Sequence, residues 1–193
     1  MSWGRRRKPI RRRTYSGDCE AIRWFQTKLP DAKNVQVAVL DTGIDKNHPD
    51  LAEVAVQYDY NGASATDILG HGTHVGGTIA ALINNGIGVT GIANCRLLVW
   101  KIFGDAPAAD GQYYVDGSMY LRALNAVRTS GARVLNLSIG GTASSQTEQL
   151  LFRRLESAGV STIAAMGNKY EEGESDFVSR GLRDGAGCRG GIV

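Results

Sequence analysis

Two side chains of this sequence, Asp41 and His71, have the types and settings that proton-transfer chemistry requires. Asp41 closes the apolar run Val35-Gln36-Val37-Ala38-Val39-Leu40, with Gly43 two residues further on. His71 lies between Gly70 and Gly72 in Gly70-His71-Gly72-Thr73-His74-Val75-Gly76-Gly77, so its ring can enter a crevice without crowding. A serine hydroxyl is a poor nucleophile at neutral pH and needs a base within hydrogen-bond reach. A histidine near its reference pKa of about 6.5 can accept that proton and return it. A carboxylate on its other ring nitrogen fixes the tautomer and stabilises the imidazolium. Taken singly, Asp41 reads as a turn or helix-cap aspartate and His71 as a capping or core histidine. Taken together with their neighbours, they read as an orienting acid and a general base. A metal-dependent hydrolase built on Asp41, His71 and His74 is the weaker reading, because no further strong ligand lies nearby.

The elements that must position these residues alternate between strand and helix. Residues 35–40 form an apolar run with one polar interruption, as expected of a strand covered on both faces. Helical patterning follows over 71–84, where Gly76, Gly77, Ala80 and Ala81 allow close packing. Further strands are expected over 96–103, 134–138 and 160–166, and further helices over 118–129 and 147–158. A short helix is also expected over 18–27, ended by Pro30, and another around 176–182. Strand–helix alternation predicts an α/β fold with a parallel sheet and helices on both faces. Ligands of such sheets sit at the carboxyl ends of the strands. Asp41, the run Ser138, Ile139, Gly140, and Asn168 all fall just past strand ends, so the chemistry converges on one edge.

Composition sets the outer bounds. With 193 residues and 42% hydrophobic content the chain can build one globular core. Its net charge of +3 is misleading as a global figure, because seven of the 22 basic residues lie within 1–13, where there is no acid. The other 15 basic residues face 19 acidic ones. Residues 1–17 are therefore expected to be a solvated basic leader; a nucleic-acid partner is not expected. The leader is followed by no apolar signal-like stretch, and no run approaches the ~20 apolar residues of a membrane span. Compartment is left undetermined. Cys19, Cys95 and Cys188 are too few and scattered for a disulfide framework or a zinc site.

Longer strings carry a resemblance to a known family. Val37-Ala38-Val39-Leu40-Asp41-Thr42-Gly43-Ile44-Asp45, followed by His48-Pro49-Asp50-Leu51, is similar to the aspartate motif of the subtilisin-like serine proteases, the subtilases. Residues 71–81 resemble that family's histidine motif, and Leu135-Asn136-Leu137-Ser138-Ile139-Gly140-Gly141 its substrate-binding strand. Ala165-Met166-Gly167-Asn168 resembles its oxyanion asparagine motif, with Met166 where alanine is usual. The resemblance covers residues 18–168, in family order, and corresponds to the N-terminal two-thirds of the catalytic domain.

The resemblance implies a peptide-bond hydrolase using an Asp–His–Ser triad. Asp41 would orient the base, His71 would be the base, and the Asn168 amide would donate to the oxyanion, a contact worth about 3–4 kcal/mol in such enzymes. Ser138, Ile139 and Gly140 would pair with an extended peptide substrate, and Gly167 would line the pocket for the side chain before the cut bond. No cofactor is required for the chemistry. The stretch Leu82-Ile83-Asn84-Asn85-Gly86-Ile87-Gly88-Val89 is similar to a family loop that wraps a structural calcium ion, which implies Asp50 and Asn85 as ligands. His48 and His74 are expected to be packing residues.

One family motif is missing. Gly-Thr-Ser-x-Ala, which carries the nucleophile, does not occur in the 193 residues. Ser175 and Ser179, among the 25 residues after Asn168, lack that setting, and Ser130 lies at a helix end. Residues 169–193 read as a divergent Gly/Arg-rich tail, and the domain as C-terminally incomplete. The expectation is a subtilase endopeptidase domain without its nucleophile, with exposed apolar surface and no turnover of its own. The alternatives are a peptide-binding relative that captures without cleaving, or a truncated gene product.

Overall fold

The computed structural model of the protein describes residues 22–24, 31–51, 53–58, 65–83, 85–140 and 145–165. Five strands form one sheet: β1 (Gln36–Asp41), β2 (Ala55–Tyr58), β3 (Arg96–Lys101), β4 (Val134–Leu137) and β5 (Ser161–Ala164). Their order is β2-β3-β1-β4-β5 and every pairing is parallel. Among the described residues three helices flank it: α1 (His71–Ala80), α2 (Gly117–Val127) and α3 (Gln146–Ser157). The α/β class expected from the alternation is what forms. The basic leader, residues 169–193 and the helix expected at 176–182 lie outside the described residues, as does most of the helix expected at 18–27.

The central strand shows why both faces had to be apolar. Ala38 and Leu40 point to a core shared with Met119, Ala123, Leu124 and Val127 of α2 and Leu151, Phe152 and Leu155 of α3. Val37 and Val39 point the other way, into a second core with Ile44, Leu51, Ala80 and Cys95, on the side of α1. Alternate side chains of a strand face opposite ways, so a strand between two helical layers is apolar throughout. β1 pairs with β3 along its whole length, which sets Asp41 beside Lys101 at the carboxyl ends.

The helix starts follow their caps. Asp116 accepts from the Ser118 and Met119 amides (2.8 and 2.9 Å) and opens α2. Ser145 and Glu148 form a reciprocal capping box that opens α3. The sequence pattern carried α1 on to residue 84, but the helix stops at Ala80. Its Thr78 and Ile79 carbonyls accept from Ile92 and Ala93, and Leu82 donates to the Asp50 carbonyl, so the chain leaves the helical path. β2 was not foreseen. The strand exists through its pairing with β3.

Two features bear on stability. The Tyr120 hydroxyl donates to Glu148 Oε1 at 2.7 Å, joining α2 to α3 inside the core. Burial, then the Glu148 charge and hydrogen bond, push the Tyr120 hydroxyl far above its ordinary pKa, so it remains a donor. At one edge of the described sheet, β5 leaves Ile163 55% exposed. Tyr120→Phe strands a buried carboxylate oxygen without its donor, and is expected to lower unfolding free energy by about 1–3 kcal/mol in urea melts.

Candidate active site

The turn after β1 and the first turn of α1 are pressed together so closely that only glycine serves at their contact. A Cβ on Gly72 would lie 2.1 Å from the Gly43 carbonyl oxygen, and one on Gly43 would lie 2.5 Å from the Ala65 carbonyl oxygen. Gly43 also has φ +109, a region that favours glycine. This close approach brings Asp41 and His71, 30 residues apart, into direct contact.

Asp41 is 0% exposed. Its Oδ1 lies 2.7 Å from His71 Nδ1 and accepts from the Thr42 amide at 2.7 Å. A carboxylate can only accept, so Nδ1 carries the ring proton and Nε2 is left with its lone pair. Oδ2 has no hydrogen-bond partner among the described residues, so Oδ1 alone anchors the buried charge. The His71 side chain is 55% exposed and its free edge is open. A buried acid holding one nitrogen of an open imidazole is the arrangement of an oriented general base. Asp41, His71 and His74 do not form a metal site: among the described residues no group of three His, Cys, Asp or Glu could hold an ion.

Sequence reasoning missed the residue that ties these segments together. Asp67 Oδ1 accepts from the Thr42 hydroxyl (2.8 Å) and from the Leu69 and Gly70 amides (3.1 and 2.8 Å). Its Oδ2 accepts from the Thr73 amide and hydroxyl at 2.8 and 2.6 Å. Burial by itself would push the Asp67 carboxyl up, but the hydrogen bonds from Thr73, Gly70 and Thr42 outweigh it and hold it below the ordinary carboxylate value. The only local signal was an aspartate three residues before a glycine that begins a helix. Lys101 is a second omission: buried, it forms an ion pair with Asp105 and donates to the Thr66 carbonyl at 2.9 Å.

The other expected residues are placed as follows. Ser138, Ile139 and Gly140 leave the carboxyl end of β4, with Ile139 buried, Gly140 exposed and the Ser138 hydroxyl accepting from the Asn136 side-chain Nδ2 at 2.9 Å. Gly167 and Asn168 lie outside the described residues, as do Ser175 and Ser179. Asp50 is 1% exposed; it accepts from the Asn85 side-chain amide at 2.6 Å and from the Val89 amide at 3.1 Å. His48 packs within its turn, its Nδ1 accepting from the Asp50 amide at 3.3 Å. His74 corrects an expectation: it is exposed on α1 rather than packed.

The subtilase family model matches residues 32–181. This chain belongs to the subtilase family. Subtilisin BL of Lederbergia lenta is 42% identical over 136 residues, which are 69% of this chain and 48% of that protein. Subtilisin amylosacchariticus of Bacillus subtilis subsp. amylosacchariticus is 36% identical over 150 residues, 75% of this chain and 37% of that protein. Among solved structures, the psychrophilic subtilisin-like protease Apa1 from Pseudoalteromonas sp. AS-11 matches with a TM-score of 0.58 and 33% identity, over 70% of this chain and 31% of that one. The chain thus spans less than half the length of these subtilases. No helix among the described residues is long and apolar enough to cross a membrane.

The Asp67 hydrogen bonds carry a pH dependence. With its folded pKa lowered, their contribution is complete above the unfolded carboxyl value of about 3.9 and is lost as pH falls through the lower folded value. Urea melts at stepped pH are expected to show stability falling below about pH 4, and Asp67→Asn to flatten that part of the profile.

Proposed function

We propose that this chain carries the acid–base half of a subtilisin-type peptidase site, with Asp41 as the orienting carboxylate and His71 as the general base. The observation that carries this reading is the 2.7 Å contact between buried Asp41 Oδ1 and Nδ1 of a half-exposed His71. His71 Nε2 takes the proton of an attacking hydroxyl and returns it to the leaving amine, while Asp41 keeps the ring in the tautomer that makes this possible. The Asn168 amide donates to the oxyanion, and Gly167 lines the pocket before the scissile bond. Ser138, Ile139 and Gly140 receive an extended peptide as an added strand; their place at the carboxyl end of β4, beside the Asp41 strand, supports that role.

No serine of the 193 residues stands in a Gly-Thr-Ser-x-Ala setting, so we assign the nucleophile to none of them. The chain by itself is then a peptide-capturing unit without turnover. A fluorescent extended peptide is expected to bind with no cleavage product, Gly140→Trp to abolish the anisotropy change, and a fluorophosphonate probe to leave no labelled serine. Cleavage blocked by the probe would overturn the assignment and identify the nucleophile.

Calcium is the second part of the proposal. Asp50 is a buried carboxylate with no cationic partner among the described residues, enclosed by the loop at 85–89. A carboxylate, an Asn85 amide oxygen and loop carbonyls are the donor set of a hard cation. Binding must displace the hydrogen bonds that Asp50 receives from Asn85 and Val89. The ion would brace the loop after α1 and take no part in proton transfer. Calcium at 100 times its Kd is expected to add about 2.7 kcal/mol of stability; thermal melts with calcium and with chelator, on the parent chain and Asp50→Asn, check this.

A further inference from the structure

We infer that Asp67 is the positioning residue that holds the Asp41–His71 pair in its bonded geometry, acting through Thr42 and the first turn of α1. The inference rests on reading that pair as the acid–base half of the site, and it concerns what builds the pair rather than what the pair does.

Four observations carry it. First, Thr42 is a two-way bridge. Its amide donates to Asp41 Oδ1, its hydroxyl donates to Asp67 Oδ1, and the same hydroxyl oxygen accepts from the Gly72 amide at 2.9 Å. One threonine therefore touches the acid, the positioning carboxylate and the residue after His71. Second, α1 lacks an ordinary cap: its N-cap position is Gly70, with φ +86 and no side-chain hydrogen bond. The first amides of a helix have no partner within it, and Asp67 meets the Gly70 and Thr73 amides from three residues upstream of that glycine. The helix turn that carries His71 is thus set by the Asp67 carboxylate. Third, the Thr73 hydroxyl that donates to Asp67 also accepts from the Asp45 amide at 2.9 Å, which closes a second link between the turn after β1 and α1. Fourth, the segment that bears Asp67 is itself anchored: Lys101 holds the Thr66 carbonyl, and the Ala65 carbonyl accepts from Ile44.

Among the described residues the Asp67 charge has no ion partner. Asp45, His48, Asp50 and His74 line the same cavity of about 470 Å³, and Lys101 nearby pairs with Asp105 instead. Asp67 is balanced by five N–H and O–H donors, four of which come from the first turn of α1 and the two residues leading into it. Charge-assisted bonds of this kind are directional as well as strong, which suits a group whose task is to fix an orientation.

The test reads the His71 ring in the full chain by NMR, without turnover. The parent chain is expected to show a downfield Nδ1–H resonance bonded to a carboxylate. Asp67→Asn should lose that resonance, or let its proton exchange with water about tenfold faster, the factor for losing one hydrogen bond of ordinary strength. Where Asp67→Asn fails to fold, Thr42→Val removes only the bridging hydroxyl and should give the same loss, and Thr42→Ser should restore the signal. Tyr120→Phe, which weakens the fold far from the site, should leave the resonance unchanged. Retention of the parent signal in folded Asp67→Asn or in Thr42→Val overturns the positioning role while leaving the Asp41–His71 reading intact. Absence of the signal from the parent chain overturns both.

Discussion

Burial of the Asp41 carboxylate at the end of β1 organises everything around it. A charge removed from water must be met by donors, and at this position the available donors are the Thr42 amide and one imidazole nitrogen. Meeting that demand requires α1 to approach the β1 turn more closely than any side chain would allow. Gly43 and Gly72 are the local answer to that requirement, and the tie from Asp67 through Thr42 is the longer-range one. The pair is therefore not an incidental contact between two polar residues. It is the point at which a strand end and a helix start are fitted to each other, and the 2.7 Å contact follows from that fit.

The sheet supplies rigidity on both sides of this contact. α2 and α3 cover one face with an aliphatic core, while α1 and the loops around Ile44 and Leu51 cover part of the other. Parallel pairing of β1 with β3 places Lys101 beside Asp41, and the Lys101 reach to Thr66 steadies the segment leading into α1. Family membership accords with this architecture: the matched region runs through all five strands and three helices. The described portion brings Asp41 and His71 into contact and leaves β5 as an edge with an exposed isoleucine.

Much of this is legible in the sequence. Asp41 and His71 announced themselves because a strand end followed by glycine, and a histidine flanked by glycines, are local patterns with local causes. The apolar continuity of residues 37–40 foretold a strand covered on both faces, since each face of a buried strand must be apolar. The elements that escaped notice share another property. β2 is four residues long and owes its existence to β3, α1 ends where the chain around Ile92 takes its carbonyls, and Asp67 looks like an ordinary loop aspartate until its five donors are brought together. Lys101 escaped because a lysine within an otherwise apolar strand reads as a side chain reaching solvent, whereas here it is buried against Asp105 and a backbone carbonyl.

By itself, the sequence determined the fold class and the family, through the alternation of strands and helices and a series of short motifs, and it singled out Asp41 and His71. Only the tertiary structure decided how those residues are held: which oxygen of Asp41 meets His71, which side chain caps α1, and what lies beside Asp50. Hydrogen bonds between segments tens of residues apart leave no periodicity in the chain, and they come into being only when packing closes the distance between them.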